Sequence, residues 1–334
     1  MRANQAILHH LATMFRHLTN VLHHTTYPSI SPADPSNSAA GKTVVISGGT
    51  GGIGYGIAQG FSAAGAVNVV ILARRQDALD EAAKRLTDEN TEAHRATKVW
   101  PYLLDIRDPE ATDRVFNAIR QRLNDDGPGE NDIDILVANA AVLTQGKTAL
   151  DFEIEVYRDS FETNVVGNLN LVRAFLAPEA PAIPLTSLKG ETKITWPLPQ
   201  SDRTKIVLDV STSAWFAEIP GQAPYAASKL AFTRALRTLH TELSQLDTTP
   251  IRIHSFHPGI VWTPGTSKLV DEGLDLIPWD DVSLPSHFAV WLASSAAAFT
   301  NGRFVMSNWD VEELMAKRAD FENDPAFCSI TLKF

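Results

Sequence analysis

From Thr43 onward the chain alternates short runs rich in β-branched residues with longer stretches of helical periodicity. No other feature constrains the fold as strongly. Thr43–Ser47, Asn68–Ala73, Val99–Leu104, Asp134–Ala138, Lys205–Val210, Ile251–His257 and Arg303–Met306 read as strands. Helices are expected from about Tyr55 to Ala64, over Asp77–Asn90, from Pro109 to Leu123, from about Asn164 to Leu176, through Tyr225 to about Leu243, and over Pro285–Phe299. In the second of these, Leu79, Ala82, Ala83 and Leu86 form the inward stripe. Asp108 is placed to cap the third, with Pro109 in its first turn. Strands this continuously apolar, joined through helices, require a parallel sheet covered on both faces. The expected fold class is α/β: a doubly wound parallel sheet of Rossmann type, in a single domain over 41–310.

The flanks read differently. Residues 1–40 form an N-terminal extension and linker, with Leu8, Leu11, Phe15, Leu18 and Leu22 on one apolar helix face. No acid precedes Asp34, and Arg2 and Arg16 give the segment the flavour of a mitochondrial presequence. The alternative is a helix that docks on its own domain or on a partner. Pro28 to Ser36 reads as an extended linker. Residues 178–203 are a proline-rich insertion, 260–284 a substrate loop, and 311–334 a C-terminal tail. The net charge of −10, from 29 basic and 39 acidic side chains, argues against nucleic acid or an anionic membrane as partner. Cys328 is the only cysteine, so no intrachain disulfide can form, which fits a reducing compartment such as the cytoplasm. No metal site is expected, because His9, His10, His23 and His24 fall in the extension. No apolar run has the length of a membrane span.

Between the first strand and its helix lies Ser47-Gly48-Gly49-Thr50-Gly51-Gly52-Ile53-Gly54. Glycines there let the backbone turn tightly against a pyrophosphate, held by free N–H groups at the helix start. A close helix–strand crossing is the bland alternative, but the position after the first strand of a β/α alternation favours a dinucleotide. Gly48, Gly52, Ile53 and Gly54 are the candidate contacts. At the end of the second strand, Ala73-Arg74-Arg75 stands where a carboxylate would select NAD. Arginine forms charge-assisted bonds to phosphate, so NADP is expected, with Arg74 and Arg75 on its 2′-phosphate. Asp105, after the third strand, is placed to meet the adenine or, alternatively, to serve a turn.

Tyr225-Ala-Ala-Ser-Lys229 brings a phenol and an ammonium to one helix face. A neighbouring cation lowers a tyrosine pKa from its usual value of about 10, so Tyr225 can exchange a proton with a carbonyl or alcohol oxygen. On these motifs the chain resembles the short-chain dehydrogenase/reductase family over residues 41–263. The glycine turn is similar to Thr-Gly-x-x-x-Gly-x-Gly, with Ser47 for threonine. Ala138-Asn139-Ala140-Ala141 is similar to Asn-Asn-Ala-Gly, keeping Asn139 and departing at Ala138 and Ala141. Asn164, Ser211, the Tyr225/Lys229 pair and Pro258-Gly259-Ile260-Val261-Trp262-Thr263 follow in the family's order.

The resemblance implies a catalytic set of Ser211, Tyr225, Lys229 and Asn164, with Ser213 as rival for the serine role. Tyr225 would act as general acid in reduction and base in oxidation. Lys229 would bond the nicotinamide ribose, Ser211 the substrate oxygen, and Asn164 a water leading to the lysine. Asn139 would support the adenosine side, and Val261 and Thr263 the nicotinamide end. It also implies a homodimer or homotetramer. Trp215, Trp262, Leu269, Leu274, Ile277, Trp279 and Trp309 suggest an apolar, aromatic pocket, although several could pack the core. The insertion and tail are similar to those of fungal members. The expected function is NADP(H)-dependent interconversion of a carbonyl and an alcohol on a fairly apolar small molecule. The alternatives are a non-catalytic NADP-binding regulatory protein on the same fold, and a lyase or epimerase relative.

Overall fold

The computed structural model describes residues 18–126, 132–176, 182–187, 190–195, 203–211, 220–244, 250–263, 265–268 and 279–329. In chain order these hold β1 (Thr43–Ser47), α1 (Gly52–Ala63), β2 (Asn68–Ala73), α2 (Gln76–Glu92), β3 (Lys98–Leu103), α3 (Pro109–Asp125), β4 (Ile135–Ala138), α4 (Ile154–Phe161) and α5 (Asn168–Leu176). There follow β5 (Ala182–Ser187), β6 (Gly190–Thr195), β7 (Lys205–Val210), α6 (Ala223–Leu243), β8 (Ile251–His257), α7 (Ser283–Ala293), β9 (Phe304–Met306), α8 (Val311–Ala316) and α9 (Arg318–Asn323).

The main sheet runs β3-β2-β1-β4-β7-β8-β9, with every pairing parallel. Side chains on successive strand residues point to opposite faces, which sorts the apolar runs into two cores. Val44, Ile46, Val69 and Ile71 enter one core, with Ile57 and Phe61 of α1 and Phe288 and Trp291 of α7. Val45, Val70 and Leu72 enter the other, with Phe116 of α3, Phe175 of α5 and Phe232 of α6. The sequence therefore reads as near-continuous hydrophobicity because both faces are covered. Strand order reverses between β1 and β4, and the crevice beyond their carboxyl ends is where such sheets take ligands.

Several segments depart from expectation. The helix expected from about Asn164 begins at Ile154 and passes through a π-helical stretch, Glu162–Gly167, before α5. Its apolar residues Ile154, Phe161 and Val166 are exposed, so no core-facing stripe announced it. The last expected helix ends at Ala293, and a separate 3-10 turn covers Ala298–Thr300. Within the insertion, β5 and β6 pair antiparallel, apart from the main sheet.

The extended linker is corrected as well. Pro28–Ile30 and Pro35–Asn37 are 3-10 turns, and Ile30 is fully buried in the first core. Leu18 and Leu22 belong to no helix here; Leu22 bridges to Trp309, and the rest of that stripe lies outside the described residues. His23 N donates to Asn308 O at 2.8 Å, and the Tyr27 hydroxyl to Trp309 O at 3.1 Å. The tail is likewise packed, with Val311, Leu314 and Phe321 buried in the same core.

Two buried histidines on β8 make folding sensitive to acid. Burial lowers both His254 and His257 from the ordinary value to about 3. His257 Nδ1 accepts from Gly259 N at 3.0 Å, which requires a neutral ring. The unfolded chain takes up these protons below pH ~6.5, whereas the folded chain does not until about pH 3. Stability is then full above that upper value and falls with pH by about 1.4 kcal/mol per unit per histidine. Urea unfolding should show a loss of roughly 4 kcal/mol between neutral pH and pH ~5, before most carboxylates titrate. A flat profile over that window would refute the assignment.

Candidate active site

The glycine turn and the end of β4 are stitched together at the sheet's switch point. Ser47 Oγ accepts from the backbone N–H of both Asn139 and Ala140, each at 3.0 Å. Asn139 Nδ2 returns a bond to Ser47 O at 2.9 Å. A small hydroxyl residue at 47 and an amide at 139 thus hold two loops in one geometry. Gly48 has φ +67°, a left-handed conformation suited to glycine. A Cβ on Gly54 would strike the Gly48 carbonyl oxygen and the Asn139 amide, so only glycine lets the first turn of α1 sit this close. Ile53, beside it, is partly buried against the first core.

A cleft of about 330 Å³ opens next to this turn, bounded by Gly48, Thr50, Arg74, Arg75, Asn139 and Thr163. That volume is at the lower end of small-molecule sites. Arg74 and Arg75 are exposed at the mouth, where β2 gives way to α2, and their guanidinium groups form no hydrogen bond or ion pair with another described residue. Two cationic forks are therefore available to an anion. Thr50 and Thr163 were not anticipated. Thr163 is buried with its hydroxyl unpartnered among the described residues, and it reaches the cleft through the π-helical stretch that periodicity could not reveal.

Asp105 follows β3 at the rim of the cleft, and its carboxylate accepts from Arg107 N in a turn. Arg107 grips its carboxylate, with Nη2 at 2.6 Å and Nε at 3.0 Å, and Arg107 also reaches Asp159 at 3.0 Å. The Arg107 hydrogen bond holds the Asp105 carboxyl below the usual range, with a smaller contribution from the charge of Arg74. Its neighbours Leu104 and Ile106 line the cleft, while Asp105 itself is paired at the rim.

The loop after β8 closes the opposite side. Thr263 lies so near Gly52 that a Cβ there would sit 3.1 Å from the threonine methyl. Val261 is buried and bridges to Asp280. Asp280 in turn accepts from Ile260 N at 2.6 Å and meets His24 Nδ1 at 2.6 Å and Asn308 Nδ2 at 2.9 Å. The N-terminal segment therefore braces the Pro258–Thr263 loop. Gly259, at φ +85°, leaves room for that carboxylate.

On α6, Tyr225 is 7% exposed and Lys229, one turn later on the same face, 1%. Lys229 Nζ donates to Val210 O at 2.7 Å, which ties the helix to the end of β7. Asn164 is fully buried in the π-helical stretch: Oδ1 accepts from Val142 N at 2.7 Å, and Nδ2 donates to Val142 O and to Ser228 Oγ. Ser228 passes its own proton to Tyr225 O at 2.8 Å. Both Nδ2 protons are thus taken by protein, so within the side chain the expected water can meet only the second lone pair of Oδ1.

Ser211 follows β7 and is fully buried. Thr233 donates to Asp209 Oδ2 at 2.7 Å and toward Ser211 Oγ at 3.0 Å, so its single proton is shared and the Ser211 oxygen accepts. Ser213 lies outside the described residues. Among the expected pocket tryptophans, Trp309 is a core residue at 5% exposure, whereas Trp262 is 49% exposed and meets Trp279 edge-on. Trp215, Leu269, Leu274 and Ile277 lie outside the described residues.

The short chain dehydrogenase pattern matches residues 42–273. The chain is 32% identical over 315 residues to the short chain dehydrogenase/reductase nsrO of Aspergillus novofumigatus, covering 94% of this chain and 96% of that protein. It is 30% identical over 316 residues to a short chain dehydrogenase/reductase of Claviceps purpurea, covering 94% of each. Among solved structures, L-sorbose reductase from Gluconobacter frateurii, complexed with NADPH and L-sorbose, superposes with a TM-score of 0.64 at 22% identity, over 81% of this chain and 96% of that one. A short-chain type dehydrogenase/reductase from Mycobacterium marinum gives 0.65 at 22%, over 81% and 95%. At such identities the structural likeness speaks for the fold, and the fungal relatives carry the rest. The glycine turn, the stitched Asn139 and the Tyr225/Lys229 helix fall within the matched span, and the chain belongs to the short-chain dehydrogenase/reductase family, oxidoreductases that work with a nicotinamide cofactor.

Proposed function

We propose that the protein is an NADP(H)-dependent reductase or dehydrogenase that interconverts a carbonyl and an alcohol on a fairly apolar small molecule. The observation that carries this reading is the buried lysine one helical turn beyond Tyr225, on a helix pinned beside the cofactor crevice. A nicotinamide cofactor supplies hydride to the carbonyl carbon, or takes it from the alcohol. Tyr225 delivers the matching proton to the oxygen, or removes it. The Lys229 ammonium stabilises the phenolate left after that transfer. Asn164 and Ser228 hold α6 against the loop after β4, so the phenol meets the reacting oxygen at a set distance. We assign the hydrogen bond to that oxygen to Ser211, with Ser213 as the rival.

Arg74 and Arg75 support NADP, since both are uncommitted at the rim. With Arg107 holding Asp105, that carboxylate repels an incoming phosphate less, and its contact with adenine is a further part of the proposal. The exposed Trp262 supports an aromatic or otherwise apolar substrate. Exposed Ile154, Phe161 and Val166 support self-association into a homodimer or homotetramer. No helix among the described residues is long and apolar enough to cross a membrane, and we place the reaction in the cytoplasm.

The test is oxidation of NADPH over a panel of aromatic and aliphatic ketones and aldehydes. Turnover on at least one apolar carbonyl is expected. Tight NADPH binding with background rates across the panel would instead favour the non-catalytic regulator.

A further inference from the structure

Asp209 is a carboxylate in the middle of the sheet, in register with Ala138 of β4 and Ser255 of β8, and it is 0% exposed. Oδ2 accepts from the Thr233 hydroxyl at 2.7 Å. Oδ1 has no hydrogen-bond partner among the described residues, and its nearest cation is Lys229 Nζ at 3.9 Å. Lys229 has the complementary problem. It is as deeply buried, and its bond to the Val210 carbonyl does not compensate a full charge. Neither ion would persist in a dry interior without the other. Asparagine would satisfy Thr233 without introducing a charge, so packing alone does not explain an acid here.

We infer that Asp209 is the counter-charge that keeps Lys229 an ammonium, and so a positioning residue that acts on Tyr225 through the lysine. This rests on the proposed proton-transfer role of the Tyr225/Lys229 pair. Burial pushes the Asp209 carboxyl up and the Lys229 amine down, and in each case the charge of the other opposes the shift. Arg234 of α6 is exposed, and other charged groups on the surrounding elements are engaged elsewhere. On α6, Arg237 donates to Gly302 O and Pro325 O. On β8, Arg252 donates to Ser294 O and Ala293 O, while His254 and His257 meet Thr300 and Gly259 N. Arg303, before β9, is bonded to Pro325 O and Phe321 O. β4 offers only Ala138 opposite Asp209.

The experiment labels lysine side chains with carbon-13 in the full chain and follows their Cε resonances with pH. The Lys229 signal is the one missing from Lys229→Met. Asp209→Asn, isosteric and uncharged, should lower the Lys229 midpoint by about one pH unit or more. Lys205, buried beside Asp132, should titrate as before. An unmoved Lys229 midpoint in folded Asp209→Asn protein overturns the inference. If that variant does not fold, Thr233→Val decides: it keeps the carboxylate but removes a hydrogen bond to its charged form. A smaller shift in the same direction supports the pairing, and no shift overturns it. The readout needs no substrate, so failure of the carbonyl panel would sink the proposed activity and leave the charge pairing to be judged alone. Where turnover exists, the alkaline limb of kcat/KM for reduction should move to lower pH with the lysine. A lower rate with an unmoved limb would mark a purely structural residue and count against the inference.

Discussion

Tyr225→Phe lowers carbonyl reduction by roughly 10²- to 10⁴-fold, the span for removing a positioned general acid, and leaves NADPH binding unchanged. The ring is buried, and phenylalanine keeps its volume and packing, so what is lost is the hydroxyl proposed to exchange a proton with the reacting oxygen. Because Lys229 remains tied to Val210 O and Asn164 to Ser228, the helix should stay in place and the cofactor crevice with it. Stopped-flow single turnovers read the chemical step, and cofactor fluorescence reads binding. An unchanged turnover rate in Tyr225→Phe would remove the proposed mechanism. The same assay separates the two serines. Ser211→Ala should fall in a similar way, whereas Ser213→Ala should retain most of its rate. The reverse order would move the substrate contact to Ser213.

Arg74→Ala weakens NADPH by about 10- to 100-fold and leaves NADH nearly unchanged. The magnitude is that of one charge-assisted hydrogen bond to phosphate, with each tenfold step worth about 1.4 kcal/mol. Arg74 is exposed, so solvent screening places the effect toward the lower figure, and rising salt should shrink it further. Arg75 lies at the N-cap position of α2 and can share the same phosphate, so the double variant should lose more than either single one. The two arginines have different neighbours. The Asp105 carboxylate lies close enough to feel the charge of Arg74, and Arg107 holds that carboxylate in a bidentate grip. Equal affinity of the native protein for NADPH and NADH, measured by titration at fixed ionic strength, would refute the preference.

The parallel sheet was legible because burial on both faces writes itself into β1, β2 and β7 as unbroken apolar runs. Glycine spacing, likewise, depends on backbone geometry that only glycine adopts. The i, i+4 relation of Tyr225 and Lys229 follows from the helix alone. The start of the helix through Asn164 was not legible. Its apolar residues face outward, and a π-helical stretch breaks the period on which such reading depends. Nor could the N-terminal segment be placed, since proline and serine in sequence look the same in a free linker as in turns packed on α7.

Local chemistry along the chain determined by itself the α/β alternation, the glycine turn, the paired arginines and the tyrosine–lysine helix, because each depends on residues within a few positions of one another. Only the tertiary structure decided that Thr233 links Asp209 to Ser211, that Arg107 holds Asp105, that His24 reaches Asp280 and that Asp209 stands behind Lys229. Those contacts join residues whose partners are set by strand order and by the faces that burial selects. A side chain's charge and hydrogen-bonding capacity are properties of its type, but the group it is committed to is a property of the fold.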